Sequence, residues 1–160
     1  MVLSFFTQNS EIIFRLLAAV GLGLLIGGER LFVRKEAGMK THALVSLGSA
    51  LFIIISEMIA LKYGGAGNFD PSRIASQVIV GIGFLTAGSI ILQGSRLKGL
   101  TTAGGLWVTA GVGMAAGFGF YSLALITTTL VLFVLIVVNK FEKPIRRISD
   151  DIDEPNNTIN

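Results

Sequence analysis

Long apolar segments alternate with short charged ones along this chain. No residue from 74 to 95 carries a formal charge, and residues 99–139 are uncharged as well. A membrane-spanning helix needs about 20 mostly apolar residues to cross a hydrocarbon core of roughly 30 Å. The first segment therefore predicts one crossing and the second predicts two. The break between those two is expected at residues 117–122, where glycines permit a turn and aromatic residues suit the membrane interface.

Two further apolar segments precede these and predict two more crossings. The pattern as a whole indicates an all-α, polytopic membrane protein, with about five transmembrane helices in a compact, glycine-rich bundle. Residues 1–139 would form the membrane domain, and residues 140–160 a basic and then acidic cytoplasmic tail that is partly disordered. The predicted helices cover about residues 10–28, 42–61, 72–92, 101–116 and 122–138.

The composition supports this class. Hydrophobic residues make up 52% of the 160 residues and charged residues only 14%, which is too apolar for a soluble domain of this size. The cations lie in the gaps between apolar segments and not on one soluble face, so a nucleic-acid partner is not expected. The chain has no cysteine, which excludes disulfides and thiolate chemistry.

The distribution of cations predicts how the bundle is oriented. Ten of the thirteen lysines and arginines fall in the segments 29–40, 94–99 and 140–147. With five crossings these segments share one face, and the positive-inside rule makes that face cytoplasmic. The N-terminus is then outside and the C-terminus is in the cytoplasm. A model with four crossings, in which the first helix lies on the membrane surface, would lose this asymmetry.

A group of polar residues is predicted near the outer face. Charges at such depth cost several kcal/mol by most estimates, so they should face one another inside the bundle or a wet cavity. One interpretation is a structural ion pair of Glu57 with Arg15 or Arg73, with Asp70 capping the third helix. A second is a proton or ion site centred on Glu57, and a third is that these side chains simply reach the membrane interface. Two carboxylates beside two arginines make a poor magnesium cage, so no metal site is predicted. The members are Arg15, Glu57, Asp70, Arg73 and Gln77.

A second group is predicted at the cytoplasmic face. The second and fourth helices both begin there, so their unpaired N–H groups lie beside several cations and hydroxyls. This arrangement outlines a site for a lipid phosphate or an acidic partner segment. The alternative is ordinary topology-determining cations with threonine caps. The members are Glu29, Arg30, Lys40, Thr41, His42, Arg96, Lys98, Thr101 and Thr102.

Glycine is abundant, with 20 residues, and small residues at four-residue spacing allow helices to approach closely. Such contacts are expected within one chain or across a dimer, and a homo-oligomer is predicted, a dimer being favoured. No catalytic residues are predicted, since the chain has no cysteine, a single histidine and no nucleophile motif, and no cofactor is expected. The glycines predicted to pack are Gly23, Gly27, Gly81, Gly88, Gly113 and Gly117.

Several blocks in unbroken order, within about residues 19–121, resemble the MgtC/SapB family of bacterial inner-membrane proteins. They are Gly27-Gly28-Glu29-Arg30, Ala37-Gly38-Met39-Lys40-Thr41-His42-Ala43-Leu44-Val45, Asp70-Pro71-Ser72-Arg73-Ile74-Ala75-Ser76-Gln77-Val78, Gly81-Ile82-Gly83-Phe84-Leu85, Gly88-Ser89-Ile90-Ile91 and Lys98-Gly99-Leu100-Thr101-Thr102-Ala103.

The resemblance implies a five-helix membrane domain in the bacterial inner membrane and a role in adaptation to low magnesium. In pathogens it implies a role in survival inside host cells. Some members are understood to restrain the F-type ATP synthase and not to move magnesium themselves. Longer members carry a soluble cytoplasmic domain after the last helix, and this chain resembles the short form.

Three functional hypotheses follow from the residues and the resemblance together. The first is a non-enzymatic regulatory membrane protein that binds a larger membrane complex such as the F-type ATP synthase. The second is a small ion or proton transporter or channel that uses Glu57 with Arg15 or Arg73. The third is a dimeric scaffold that binds membrane lipids, with anionic lipid at its cytoplasmic face.

Overall fold

Five helices and one short hairpin make up the described part of the chain. The computed structural model describes residues 9–63, 70, 72–94 and 96–153, with side chains up to residue 141 and without that of residue 96. This architecture confirms the all-α fold. In chain order the elements are α1 (Ser10–Phe32), α2 (Met39–Tyr63), α3 (Ser72–Ala87), β1 (Ile91–Gln93), β2 (Arg96–Lys98), α4 (Leu100–Gly117) and α5 (Tyr121–Asp153).

The helices differ in how much of a bilayer they can cross. Within the described residues, α1, α2 and the segment Tyr121–Phe141 of α5 are long and apolar enough to span a membrane. The apolar helix α3 has 16 residues and α4 has 18. At 1.5 Å per residue they are about 24 and 27 Å long, somewhat shorter than the hydrocarbon core.

Helix α4 lies at the centre of the bundle. It contacts each of the other four helices, whereas α3 packs mainly on α4 and only weakly on α2. Its sequence is rich in Gly, Ala and Thr, and 11 of its 18 residues are buried. Small side chains let neighbouring helices approach closely, so a helix of this composition suits the centre of a membrane bundle.

Glycines bring α1 and α4 into backbone contact with α2. A Cβ added at Gly23 would lie 2.7 Å from the His42 carbonyl oxygen, and one at Gly27 would lie 2.6 Å from the Cα of Met39. On α4, a Cβ at Gly117 would lie 2.8 Å from the Ala50 carbonyl oxygen, and one at Gly113 would overlap the carbonyl of Ser46. Only glycine fits these positions without moving the α2 backbone.

Gly81 and Gly88, in the α3 region, were also predicted to pack, but they make no such close contact with a neighbouring helix. A Cβ at Gly81 would meet no described atom within 4 Å. One at Gly88 would meet only the carbonyl oxygen of Leu85, 3.4 Å away in the preceding turn. These two positions therefore do not mediate contacts between the described helices, and the Gly81 side of α3 is open.

Helix α3 ends at Ala87, whereas the sequence predicted a helix to about residue 92. The Ser89 hydroxyl donates to the Thr86 carbonyl, and the following residues form an antiparallel hairpin in which Leu92 pairs with Leu97. Gly99 closes the hairpin with φ of +89°, against the carbonyl of Ser89. The aliphatic residues 90–92 suit a strand as well as a helix, so their apolar character alone did not reveal the change.

Helices α1 and α5 extend further than predicted. Residues 29–32, expected in a surface loop, continue α1 to Phe32. Helix α5 continues through residues predicted to belong to a partly disordered tail and ends at Asp153. Residues 154–160 of that predicted tail lie outside the described residues. Within the extension of α1, Arg30 is buried in the bundle.

Candidate functional site

Arg15 joins three helices at the outer end of the bundle. Its guanidinium forms ion pairs with Glu57 on α2 and Glu11 on α1. Nη1 also donates a hydrogen bond of 3.1 Å to the carbonyl of Gly117, at the end of α4. The Arg15 side chain is only 12% exposed, whereas that of Glu57 is 42% exposed. Of the two ion pairs expected for Glu57, the structure forms the one with Arg15.

The other members of the predicted outer cluster lie on α3. Asp70 accepts a hydrogen bond of 2.9 Å from the Ser72 backbone at the start of the helix, as expected for a cap. Hydrogen bonds from Ser72 hold the pKa of Asp70 below its usual value. Arg73 is exposed, and Gln77 lines a groove between α2 and α3. The sequence indicated similar depth, but depth does not say which way a side chain faces.

At the cytoplasmic end, the charged and polar side chains of three predicted residues are enclosed. Arg30 is buried and pairs with Glu29. His42 is buried on α2, and its Nδ1 lies 2.8 Å from the hydroxyl oxygen of Thr109 on α4. That hydroxyl donates to the carbonyl of Gly105, so Nδ1 carries the ring proton. This hydrogen bond links α2 to α4.

A stripe of buried polar residues runs along α2. The hydroxyls of Ser46 and Ser49 have no hydrogen-bond partner among the described residues. Their spacing from His42 places all three on one helix face, so a search for polar residues at helical spacing would have found them. Gly113 and Gly117 bring the α4 backbone against this part of α2, which leaves little room for water between the helices. The stripe includes His42, Ser46, Ser49 and Ser56.

A groove of about 630 Å³ separates α2 from α3. Most of its lining is apolar, with Gly48 on one side and Gly81 on the other. Lys40 and Thr41 lie at its cytoplasmic end. Thr41 is not the cap that the sequence suggested, because α2 already begins at Met39. The groove also contains Ser49, which is 2% exposed, and Gln77.

A separate basic cavity of about 400 Å³ lies where the α1–α2 connection meets the start of α4. Thr101 and Thr102 lie in the first turn of α4, and Gly99 occupies the capping position that the sequence had assigned to threonine. Arg96 belongs to β2, and its side chain lies outside the described part of the structure. The polar side chains lining the cavity are Arg34, Lys35, Glu36, Lys98, Thr101 and Thr102.

The predicted cytoplasmic group is thus divided among three places. Glu29, Arg30 and His42 are enclosed in the bundle, Lys40 and Thr41 line the groove, and Lys98, Thr101 and Thr102 line the basic cavity. Sequence analysis had not singled out Arg34 and Lys35 as members. Among the described residues, no group of three or more His, Asp or Glu side chains is placed to hold a metal ion.

Comparisons with known proteins agree with the fold. The model of the MgtC family matches residues 16–144. The chain is 44% identical over 139 residues to the protein named putative magnesium transporter YhiD of Escherichia coli K12, covering 83% of this chain and 63% of YhiD. It is 40% identical over 136 residues to protein MgtC of Salmonella typhimurium LT2, covering 85% of this chain and 56% of that protein.

A third relative is protein MgtC of Brucella abortus, which is 40% identical over 124 residues, covering 78% of this chain and 48% of that protein. No solved structure matches the chain. The chain spans between about half and two thirds of the length of these relatives. The bundle, the membrane location and these matches together show that the chain belongs to the MgtC family.

Proposed function

We propose that this chain is a non-enzymatic regulatory protein of magnesium homeostasis that binds a transmembrane helix of a larger membrane complex in the α2–α3 groove. Membership of the MgtC family and similarity to a protein named as a putative magnesium transporter support the magnesium-related role. The family resemblance suggests the F-type ATP synthase as the complex. A role in survival inside host cells would follow from such regulation.

The observation that carries the proposal is the makeup of the groove lining. The lining is mostly apolar, with Gly48 on α2 and Gly81 on α3, and it includes the exposed polar residue Gln77. An acyl chain carries no group that can hydrogen-bond the Gln77 amide, whereas a polar side chain on a partner helix can. A protein helix is therefore a better occupant of the groove than lipid.

The shape of the groove and its rim also suit a helix. Neither Gly48 nor Gly81 would place a Cβ within 4 Å of any described atom, so the groove has no side chain at either position. Small residues of this kind let a second helix approach closely in a membrane. Beyond the groove, α3 exposes Val80 and Phe84, the latter 84% exposed. These residues would extend the apolar contact with a docked helix.

The competing proposal is transport of protons or ions at Glu57. One observation favours it: Glu57 is 42% exposed while its partner Arg15 is enclosed, so the ion pair is open on one side. The backbone contacts of Gly113 and Gly117 with α2 argue against transport through the bundle, because they leave little room for water between the helices. We therefore assign Arg15 and Glu57 a structural role in holding α1, α2 and α4 together.

A reconstituted system tests the regulatory proposal. The full chain is incorporated into liposomes with purified F-type ATP synthase, and ATP-driven proton pumping is measured. We expect the wild-type chain to reduce pumping and Gly81→Leu, which fills the groove, to relieve the reduction. Gly83→Leu is the matched control, because Gly83 is on the same helix, has equally open surroundings and does not line the groove.

Two results would contradict the proposal. Equal behaviour of Gly81→Leu and Gly83→Leu would remove the groove as the binding surface. Unchanged pumping with the wild-type chain would remove the F-type ATP synthase as the partner. Light scattering of the purified chain covers a further possibility, since a dimer that Gly81→Leu dissociates would show that a second copy of the chain fills the groove.

A further inference from the structure

The basic cavity is separate from the α2–α3 groove, and a ligand bound there would not depend on the partner proposed for the groove. We propose that it binds the phosphate of an anionic phospholipid from the cytoplasmic leaflet. Its lining includes three cations, Arg34, Lys35 and Lys98, against one carboxylate, Glu36. An excess of cations around a concave polar surface attracts a phosphate, with which arginine and lysine form charge-assisted hydrogen bonds.

Helix α4 adds donors to the same cavity. Gly99 occupies the N-cap and makes no side-chain capping bond, and Leu100, Thr101 and Thr102 of the first turn all line the cavity. The first N–H groups of a helix have no partner within the helix and carry its positive dipole end. A phosphate placed here would accept hydrogen bonds from these groups.

Thr102 provides a separate indication of a ligand. It is only 5% exposed, yet it lines the cavity. Its hydroxyl makes no hydrogen bond to a described residue. A threonine so enclosed usually hydrogen-bonds a backbone carbonyl, as Thr109 and Thr128 do here. A phosphate oxygen in the cavity would supply the missing partner.

The conformation of Arg34 is unusual for its position. Helix α1 ends at Phe32, and Arg34 follows with φ of +55°, in the left-handed region that glycine prefers after a helix. The arginine therefore occupies a backbone position that glycine would fill with less strain. Arg34 lines the cavity, so the position combines a local backbone cost with a cation suited to a phosphate.

The surroundings of the cavity favour a lipid over a soluble phosphate. Leu97 and Leu100 line it and are exposed, and Leu31 and Phe32 at the end of α1 are exposed as well. Exposed aliphatic and aromatic side chains beside cations are typical of a protein surface at the membrane interface. A lipid phosphate at this level would leave its acyl chains against these apolar residues.

Binding of single lipids to the purified full chain tests the inference. The protein in neutral detergent is titrated with short-chain phosphatidylglycerol or phosphatidylcholine, and bound lipid is counted by native mass spectrometry. We expect tighter binding of phosphatidylglycerol. Lys98→Gln should weaken it by about tenfold, which corresponds to the loss of one hydrogen bond to a charged group. Lys140→Gln, a cation of the same face outside the cavity, should change it by less than about twofold.

The variant Arg34→Gly separates a loss of lipid binding from a loss of folding. Glycine accepts the left-handed backbone, so this variant should unfold at the same temperature as the wild type or higher. It should nevertheless bind phosphatidylglycerol more weakly, to an extent similar to Lys98→Gln. Equal affinity of the wild type, Arg34→Gly and Lys98→Gln would overturn the proposal.

Competition distinguishes a lipid from other phosphates. Inorganic phosphate and ATP are added to the complex with phosphatidylglycerol, and the proposal predicts that neither displaces the lipid at concentrations similar to its own. Displacement at such concentrations would show that the cavity binds a soluble phosphate and would overturn the assignment to lipid. Equal losses in Lys98→Gln and Lys140→Gln would reduce the effect to general charge attraction and would also overturn it.

Discussion

The α1–α2–α4 core and helix α3 use the same kinds of residue in opposite ways. In the core, Gly113 and Gly117 hold two backbones in contact, and Arg15 is enclosed by three helices. On α3, Gly81 contacts no neighbouring helix and Arg73 is exposed. The difference indicates that the core supplies stability, whereas α3 leaves surface available for binding. Substitutions at matched positions test this division.

The largest effect is expected at Gly113. A valine there would overlap the carbonyl of Ser46, and a backbone clash cannot be relieved by rotating a side chain. We expect Gly113→Val to lower the free energy of unfolding by about 3 kcal/mol or more, or to prevent folding. Thermal unfolding in detergent measures this effect.

Two controls accompany that variant. Gly111 lies on the same helix and Gly81 on α3, and a Cβ at either position would meet no described atom within 4 Å. Gly111→Val and Gly81→Val should therefore unfold close to the wild-type temperature. Similar losses in all three variants would mean that valine itself, and not the contact with α2, causes the effect.

A smaller effect is expected for Arg15. Replacing it with glutamine removes the ion pairs with Glu57 and Glu11 and weakens the contact with the Gly117 carbonyl. We expect a loss of about 2 kcal/mol in the free energy of unfolding, the size of a hydrogen bond to a charged group. Arg73→Gln, at an exposed position on α3, should have little effect. Equal stability of the two variants would argue against Arg15 as a link between helices.

The smallest effect on stability is expected at the two unpaired serines of α2. Ser46→Ala and Ser49→Ala each remove a buried hydroxyl without a described partner, so both should leave stability unchanged or raise it by about 1 kcal/mol. Neither hydroxyl is accessible from the groove, so both variants should also leave regulation of the partner complex unchanged in the reconstituted pumping assay. Loss of regulation in either variant would mean that this buried stripe, and not the groove alone, contributes to binding.

The sequence predicted the positions of the helices better than the contacts between them. Long apolar segments revealed all five helices, and three of them are long and apolar enough to span a membrane. An ion pair of Glu57 with Arg15 or Arg73 was predicted because charges at the same depth must find partners, and the structure forms the pair with Arg15. The end of α3 at Ala87 was not anticipated, because the apolar residues after it fit a helix and a strand equally well.

The direction in which each side chain points could not be predicted from the sequence. Gln77 has the depth expected from its place in α3, but it lines the groove and not the ion pair at Arg15. Arg34 and Lys98 are 64 positions apart in the chain, and only the fold brings them to one cavity. Ser46 and Ser49 could have been identified from their helical spacing, but their lack of partners could not.

We propose that the packed core is structural and that the chain acts through its binding surfaces. The decisive measurement is proton and magnesium flux in liposomes that contain the purified wild-type protein or Glu57→Gln. We expect flux no greater than that of empty liposomes for both proteins. Flux through the wild-type protein that Glu57→Gln abolishes would overturn the structural role of the core and establish Glu57 as a transport site.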